Sequence, residues 1–233
     1  MDAGQFLEQY AAGRRDFHEQ ILREADLEQV DLSNINLVSA DLKEANLKNT
    51  NLIRSKLGYA SLKEVNLALA NLRESNLIGA NLRLACLVMA ELSLVNLRKA
   101  DLGEAKLTGA NLTRADLQQA ILANTTLIGA VLHKADLQGA NLWEANLTEA
   151  NLEKADLRGA NLTEAKLVGV SLKKANLSGA ILRKANLERA DLTEANLDKA
   201  DLTEAILCEA KLEGANLEKA ILNRAVQYWV RYP

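Results

Sequence analysis

His18, His133, Cys86 and Cys208 are the only histidines and cysteines in a 233-residue chain. An imidazole becomes a base or a metal ligand only beside a nucleophile or further ligands. Each histidine here directly follows the apolar position of a regular five-residue unit, so each reads as an isolated exposed side chain. No Cys/His cluster has metal-ligand spacing, no glycine-rich loop precedes a helix, and no nucleophile sits beside a base. Acid pairs such as Asp136 and Asp156 recur as members of a ladder, which makes them structural. The chain is therefore expected to be no enzyme and to need no cofactor or metal.

A repeat positions all of these residues. Every fifth residue from Leu22 to Leu222 is leucine, 41 in all, without a change of phase. With leucine as position 0, position −2 is alanine in 31 of the 41 units. Val30, Ile35, Thr50, Ser55, Val65, Ser75, Val95, Thr125 and Val170 are among the exceptions, so the column is narrow and mostly dry. Position −1 is Asn or Asp in 26 units, while +1 and +2 hold most of the Lys, Arg, Glu, Gly and Thr. An α-helix cannot use this pattern, because five residues advance about 500° around its axis. Two residues separate positions −2 and 0, which places both on one face of a short strand. The next three must turn a corner. Glycines at +2, such as Gly79, Gly139, Gly159 and Gly179, suit a turn with positive φ.

The outward columns count the corners. Positions 24, 44, 64, 104, 144, 164 and 204 are all Glu, and the series ten residues out of step carries Arg54, Arg114, Lys134, Lys154 and Lys174. The period is therefore twenty, giving four corners per coil and a square rod of about ten coils, roughly 50 Å long at ~4.8 Å per coil. Cys86 and Cys208 then lie on one face but about 29 Å apart, beyond disulfide reach.

The array A-[N/D]-L-x-x, as in Ala110-Asn111-Leu112-Thr113-Arg114, resembles the pentapeptide repeat family from Phe17 to about Ala225. The opening Tyr10-Ala11-Ala12-Gly13-Arg14-Arg15-Asp16-Phe17 is similar to the start of many cyanobacterial members. The resemblance implies an all-β fold, a right-handed quadrilateral β-helix, with the handedness taken from the family. The expected organisation is an N-terminal helical cap over 1–15, the β-helix over 16–225, and a C-terminal aromatic cap or tail over 226–233. Asp2 is a candidate N-cap, and Phe6, Leu7 and Tyr10 line one face of the short helix that would cover the first coil. Tyr228, Trp229 and Tyr232 either cap the last coil or pair two rods, leaving monomer and end-to-end dimer both open.

Binding is the remaining class of function. Leu69, Leu84, Cys86, Val88, Met89, Leu94, Ile128 and Val168 stand at outward positions usually polar in such a rod and form a candidate protein-docking patch, although strand preference also favours Val and Ile there. Arg114, Lys134, Lys154 and Lys174 form a basic stripe that Glu153 and Glu194 can relieve. The function expected is a protein–protein interaction or scaffold rod with an unidentified protein partner. The alternative implied by the family is a DNA-mimic binder of DNA gyrase. A net charge of -3 and the basic stripe weigh against that alternative, and a pI of 5.6 without interleaved aromatics weighs against nucleic acid itself. No apolar targeting segment and no membrane-length run is present, so the expected location is the cytoplasm, without a membrane partner.

Overall fold

Axial hydrogen bonds convert the five-residue spacing into a stack. In the computed structural model, which describes residues 1–230, each position −1 residue pairs in parallel with the one twenty places on, from Asp16 with Asn36 to Ile206 with Val226. Leu132 N–H donates to the Asn151 carbonyl at 2.7 Å and Lys134 N–H to the Glu153 carbonyl at 3.0 Å. Val131 N–H returns to the Ala110 carbonyl at 2.9 Å. Ala135 N–H closes the corner onto the Leu132 carbonyl at 3.0 Å. Four corners in twenty residues give each coil its square section.

Every corner has one backbone form. Position +2 holds φ between 54° and 69° at all 43 turns from Glu19 to Trp229, and position +1 does not, which defines a type II turn. Eight of these positions are glycine; the other 35 place an L-residue in the left-handed region, at about 1–2 kcal/mol each. None of the 43 is valine, isoleucine or threonine, whose branched Cβ is the worst fit there.

The leucines from Leu22 to Leu212 are 0–2% exposed and fill the rod with the position −2 alanines. Polar exceptions in the alanine column bond inward: Thr50 Oγ1 donates to the Leu27 carbonyl and Thr125 Oγ1 to the Leu102 carbonyl, both at 2.9 Å. Ser55 differs, because its buried hydroxyl has no partner among the described residues. Ser55→Ala is expected to stabilise the chain by about 1 kcal/mol by removing that unpaired group. A lowered urea midpoint would show that the hydroxyl does bond.

The helix α1 (Ala3–Ala11) closes the first coil. Asp2 caps it by accepting the Gln5 N–H at 2.8 Å, and the chain leaves through Gly13 at φ 98°. Phe6 is buried with its ring 4.6 Å from that of Phe17, which takes the leucine position of the first unit. Leu7 and Tyr10 pack around it, half-buried. The Arg14 guanidinium covers Phe17 at 4.4 Å and that of Arg15 covers Tyr10 at 3.9 Å. At the other end, residues 226–230 continue the coil as one more unit, with Val226 paired to Ile206. Tyr228 and Trp229 occupy its outward turn positions and are exposed, Trp229 at 86%. Tyr232 lies outside the described residues.

Candidate protein-docking face

The outward surface is organised by the residue at position −1. The N–H at position +1 has no axial partner, and where position −1 is Asn or Asp its side chain accepts it. All 26 Asn and Asp residues of the leucine units do so through Oδ1, as in Lys48 N–H to Asn46 at 3.3 Å, Thr148 N–H to Asn146 at 3.2 Å and Glu153 N–H to Asn151 at 3.0 Å. Glu91 does the same for Ser93 N–H with Oε1. These Asx turns explain the preference for Asn and Asp, each bond contributing about 0.5–1.5 kcal/mol. Many of the amides also bond along the rod, Asn66 Nδ2 to Asn46 Oδ1 at 3.2 Å for instance.

One column breaks this rule in three successive coils. Cys86, Lys106 and Thr126 stack at position −1 and supply no such acceptor, so the N–H groups of Val88, Thr108 and Ile128 have no partner among the described residues. Lys106 is exposed and makes no ion pair among these residues. The sequence reading missed this row; three coils without Asn or Asp in one column was the signal available.

The apolar residues collect around the same place. Leu84, Met89 and Leu94 are three successive corners of a single coil, with Cys86 and Val88 on the face between the first two. All three corner side chains are exposed, and Met89, at 59%, lies along the rod over the next corner, where a Cβ on Gly109 would meet its Sδ at 2.5 Å. Leu69 is one coil back on the Met89 corner and is also exposed. Ile128 and Val168 share the Val88 column two and four coils on, with Thr108 and Thr148 between them. They extend a β-branched strip and do not join the belt. Exposed apolar side chains outside this set are Tyr59, laid over Gly79; Ile21, Ile121, Ile181 and Ile221 in one position −1 column; Ile206 and Val226 in the Cys86 column; Trp143; and Tyr228 and Trp229 in the last unit.

The basic stripe is half neutralised. Lys154 pairs with Glu153 at 2.8 Å and Lys174 with Glu194 at 3.4 Å, whereas Arg114 and Lys134 make no ion pair among the described residues. In the glutamate column, Glu44 pairs with Lys43 at 2.9 Å and Glu64 with Lys63 at 3.2 Å; Arg23 turns to Asp41 at 2.6 Å. A concavity of about 620 Å³ beside Arg189, Glu209, Lys211, Trp229 and Val230 holds no nucleophile–base pair. Among the described residues no group of His, Cys, Asp and Glu is placed to hold a metal, and no helix is long and apolar enough to cross a membrane.

Ladder bonding also tunes the carboxylates. Burial raises the pKa of Asp191, but the hydrogen bonds from Thr193 and Lys173 outweigh it and hold the group below 3.8. Asp201 is held low against burial in the same way by Thr203 and Arg183, and Glu91 is held below 4.5 by Ser93 and Asn111. Because these groups bind protons more weakly in the folded chain, their stabilisation is complete above the unfolded values and is lost as pH falls through the lower folded ones. The melting temperature is expected to be flat from about pH 7 to 5 and to drop below about pH 4. A rise on acidification would contradict the bonding described.

Comparison with known proteins agrees with this geometry. The model of the pentapeptide repeats matches in eight copies spanning residues 21–224. Among solved structures, the chain is similar to HetL, a pentapeptide repeat protein involved in heterocyst differentiation regulation from the cyanobacterium Nostoc sp. strain PCC 7120. That match has 35% identity over 97% of this chain and 94% of that one, with a TM-score of 0.58. It is also similar to Rfr23 from the cyanobacterium Cyanothece 51142, at 38% identity over 42% of this chain and 64% of that one, with a TM-score of 0.39. A further match is QnrB1, a plasmid-mediated fluoroquinolone resistance protein, at 20% identity over 88% and 81%, with a TM-score of 0.41. No curated protein matches the chain. The fold is the right-handed quadrilateral β-helix of the pentapeptide repeat proteins, as the family match and the similarity to HetL show. An unbroken leucine ladder, four type II corners per coil and a family match over residues 21–224 have one meaning: the chain belongs to the pentapeptide repeat family.

Proposed function

We propose that the protein is a non-catalytic cytoplasmic rod that docks a protein partner through the Leu84–Met89–Leu94 belt and the adjoining Cys86–Val88 face, and that its role is regulatory. One observation carries this reading: three successive corners of one coil expose Leu, Met and Leu, where other coils place mostly charged, polar or glycine residues. A contiguous apolar surface of this kind on an otherwise charged rod is an interface signature. The similarity to HetL, described as involved in regulating heterocyst differentiation, supports the regulatory part. Gyrase binding by charge mimicry draws no such support, since the net charge is -3 and the Arg114–Lys174 stripe breaks any continuous negative surface.

The test is affinity capture from cyanobacterial lysate with the parent and a Val88→Lys, Met89→Lys variant side by side. Both sites point outward, so the melting curve is expected to stay within about 0.5 kcal/mol of the parent. A partner captured by the parent and lost from the variant supports the reading. Equal capture by both removes this face as the docking site.

A further inference from the structure

Resting on that reading, we infer that the occupant of this face is an acidic, aliphatic segment of the partner: one that sets carboxylates among Leu, Ile or Val side chains. The N–H groups of Val88, Thr108 and Ile128 stand one coil apart, about 4.8 Å each, in a row without acceptors among the described residues. Lys106 lies in the middle of the neighbouring column, between Cys86 and Thr126, exposed and without an ion pair among the described residues. The position −1 and +1 residues of this face, Cys86, Val88, Lys106, Thr108, Thr126 and Ile128, include no carboxylate. Glu104, on the adjacent corner, is engaged by Arg83. In no other column do three successive coils lack Asn, Asp or Glu at position −1.

A purely apolar occupant would strip water from three N–H donors and an ammonium without replacing it. A basic occupant would meet Lys106. A carboxylate oxygen accepts from such donors in place of the missing Oδ1, as an anion does in a row of backbone N–H groups. Val88, Met89 and Ile128 then take the aliphatic side chains on either side.

The test uses the full chain labelled with ¹⁵N and a synthetic peptide of alternating Leu and Glu, with Leu/Gln and Leu/Lys peptides of the same length beside it. The amide resonances of Val88, Thr108 and Ile128 are followed. A second protein carries Cys86→Asn, Lys106→Asn and Thr126→Asn, which supplies the three Asx acceptors and is expected to melt at or above the parent. The expected result is saturable shifts of the three amides with Leu/Glu, binding about tenfold weaker or more with Leu/Gln, none with Leu/Lys, and none in the triple variant. Equal shifts with Leu/Gln or Leu/Lys would overturn the carboxylate assignment while leaving the docking face standing. No response of the three amides to Leu/Glu also overturns it, whatever the lysate capture shows. Undiminished binding by the triple variant does the same.

Discussion

Leu132→Asp is expected to unfold the rod or split it at its centre. Leu132 is 0% exposed and stacks between Leu112 and Leu152, which are equally buried. A carboxylate there has no cation within the dry column and no room for water, so it is buried unpaired or the coil opens. Either route costs more than about 4 kcal/mol, the upper part of the ~2–5 kcal/mol of simply truncating the leucine or above it. In a stacked repeat each coil contacts only its neighbours, so the damage is local before it is global. Limited proteolysis is expected to cut near residue 132 and release two fragments, with loss of the cooperative melt. A parent-like melting curve and no new cleavage would mean that this leucine does not point inward.

Substitutions at one corner are expected to move stability in opposite directions. Glu144 holds φ 54° and donates its N–H to the Thr163 carbonyl at 3.0 Å. Glu144→Pro fixes φ near −65° and deletes that donor, so it is expected to destabilise by about 3 kcal/mol or more. Glu144→Gly keeps the donor and relieves the left-handed strain, so it is expected to stabilise by up to about 1 kcal/mol, glycine's extra chain entropy offsetting the rest. Denaturant melts of the two variants against the parent decide the matter. Two shifts of the same sign would mean that the corner is not of type II.

The leucine and alanine columns made the coil legible from the amino acids alone, because an uninterrupted period of five in a dry column admits few geometries. The twenty-residue coil was legible from the Glu24–Glu44–Glu64 series, since stacked positions share surroundings. Handedness was not, because hydrophobic spacing is the same in either mirror image. The left-handed corner was half visible: Gly79 and Gly139 suggested it, but the absence of branched residues at position +2 marked all 43 turns. The apolar residues of the candidate face were individually visible at Leu84, Met89 and Leu94; that they form successive corners of one coil follows once four corners per coil are known. The unpaired N–H row at Val88, Thr108 and Ile128 stayed hidden, because it depends on where the Asn and Asp side chains bond rather than on which residues face outward. Tyr228 and Trp229, expected from their type either to cap the last coil or to pair two rods, take the two turn positions that carry side chains away from the core.

The axial bonding gives the rod a polarity. In each repeat two N–H groups, such as those of Leu132 and Lys134, point toward the C-terminal end, and one, that of Val131, points back. The peptide dipoles therefore do not cancel as they do across an ordinary sheet. Carbonyl oxygens are left in excess at the rim of the first coil, which makes that rim the negative pole. Cations sit there: Arg14 Nε donates to the Asp16 carbonyl at 2.6 Å, and the Met1 ammonium to the Ile21 carbonyl at 3.3 Å. The N-terminal segment thus acts as a counter-charge as well as a lid, in the way cations settle at the carbonyl end of a helix.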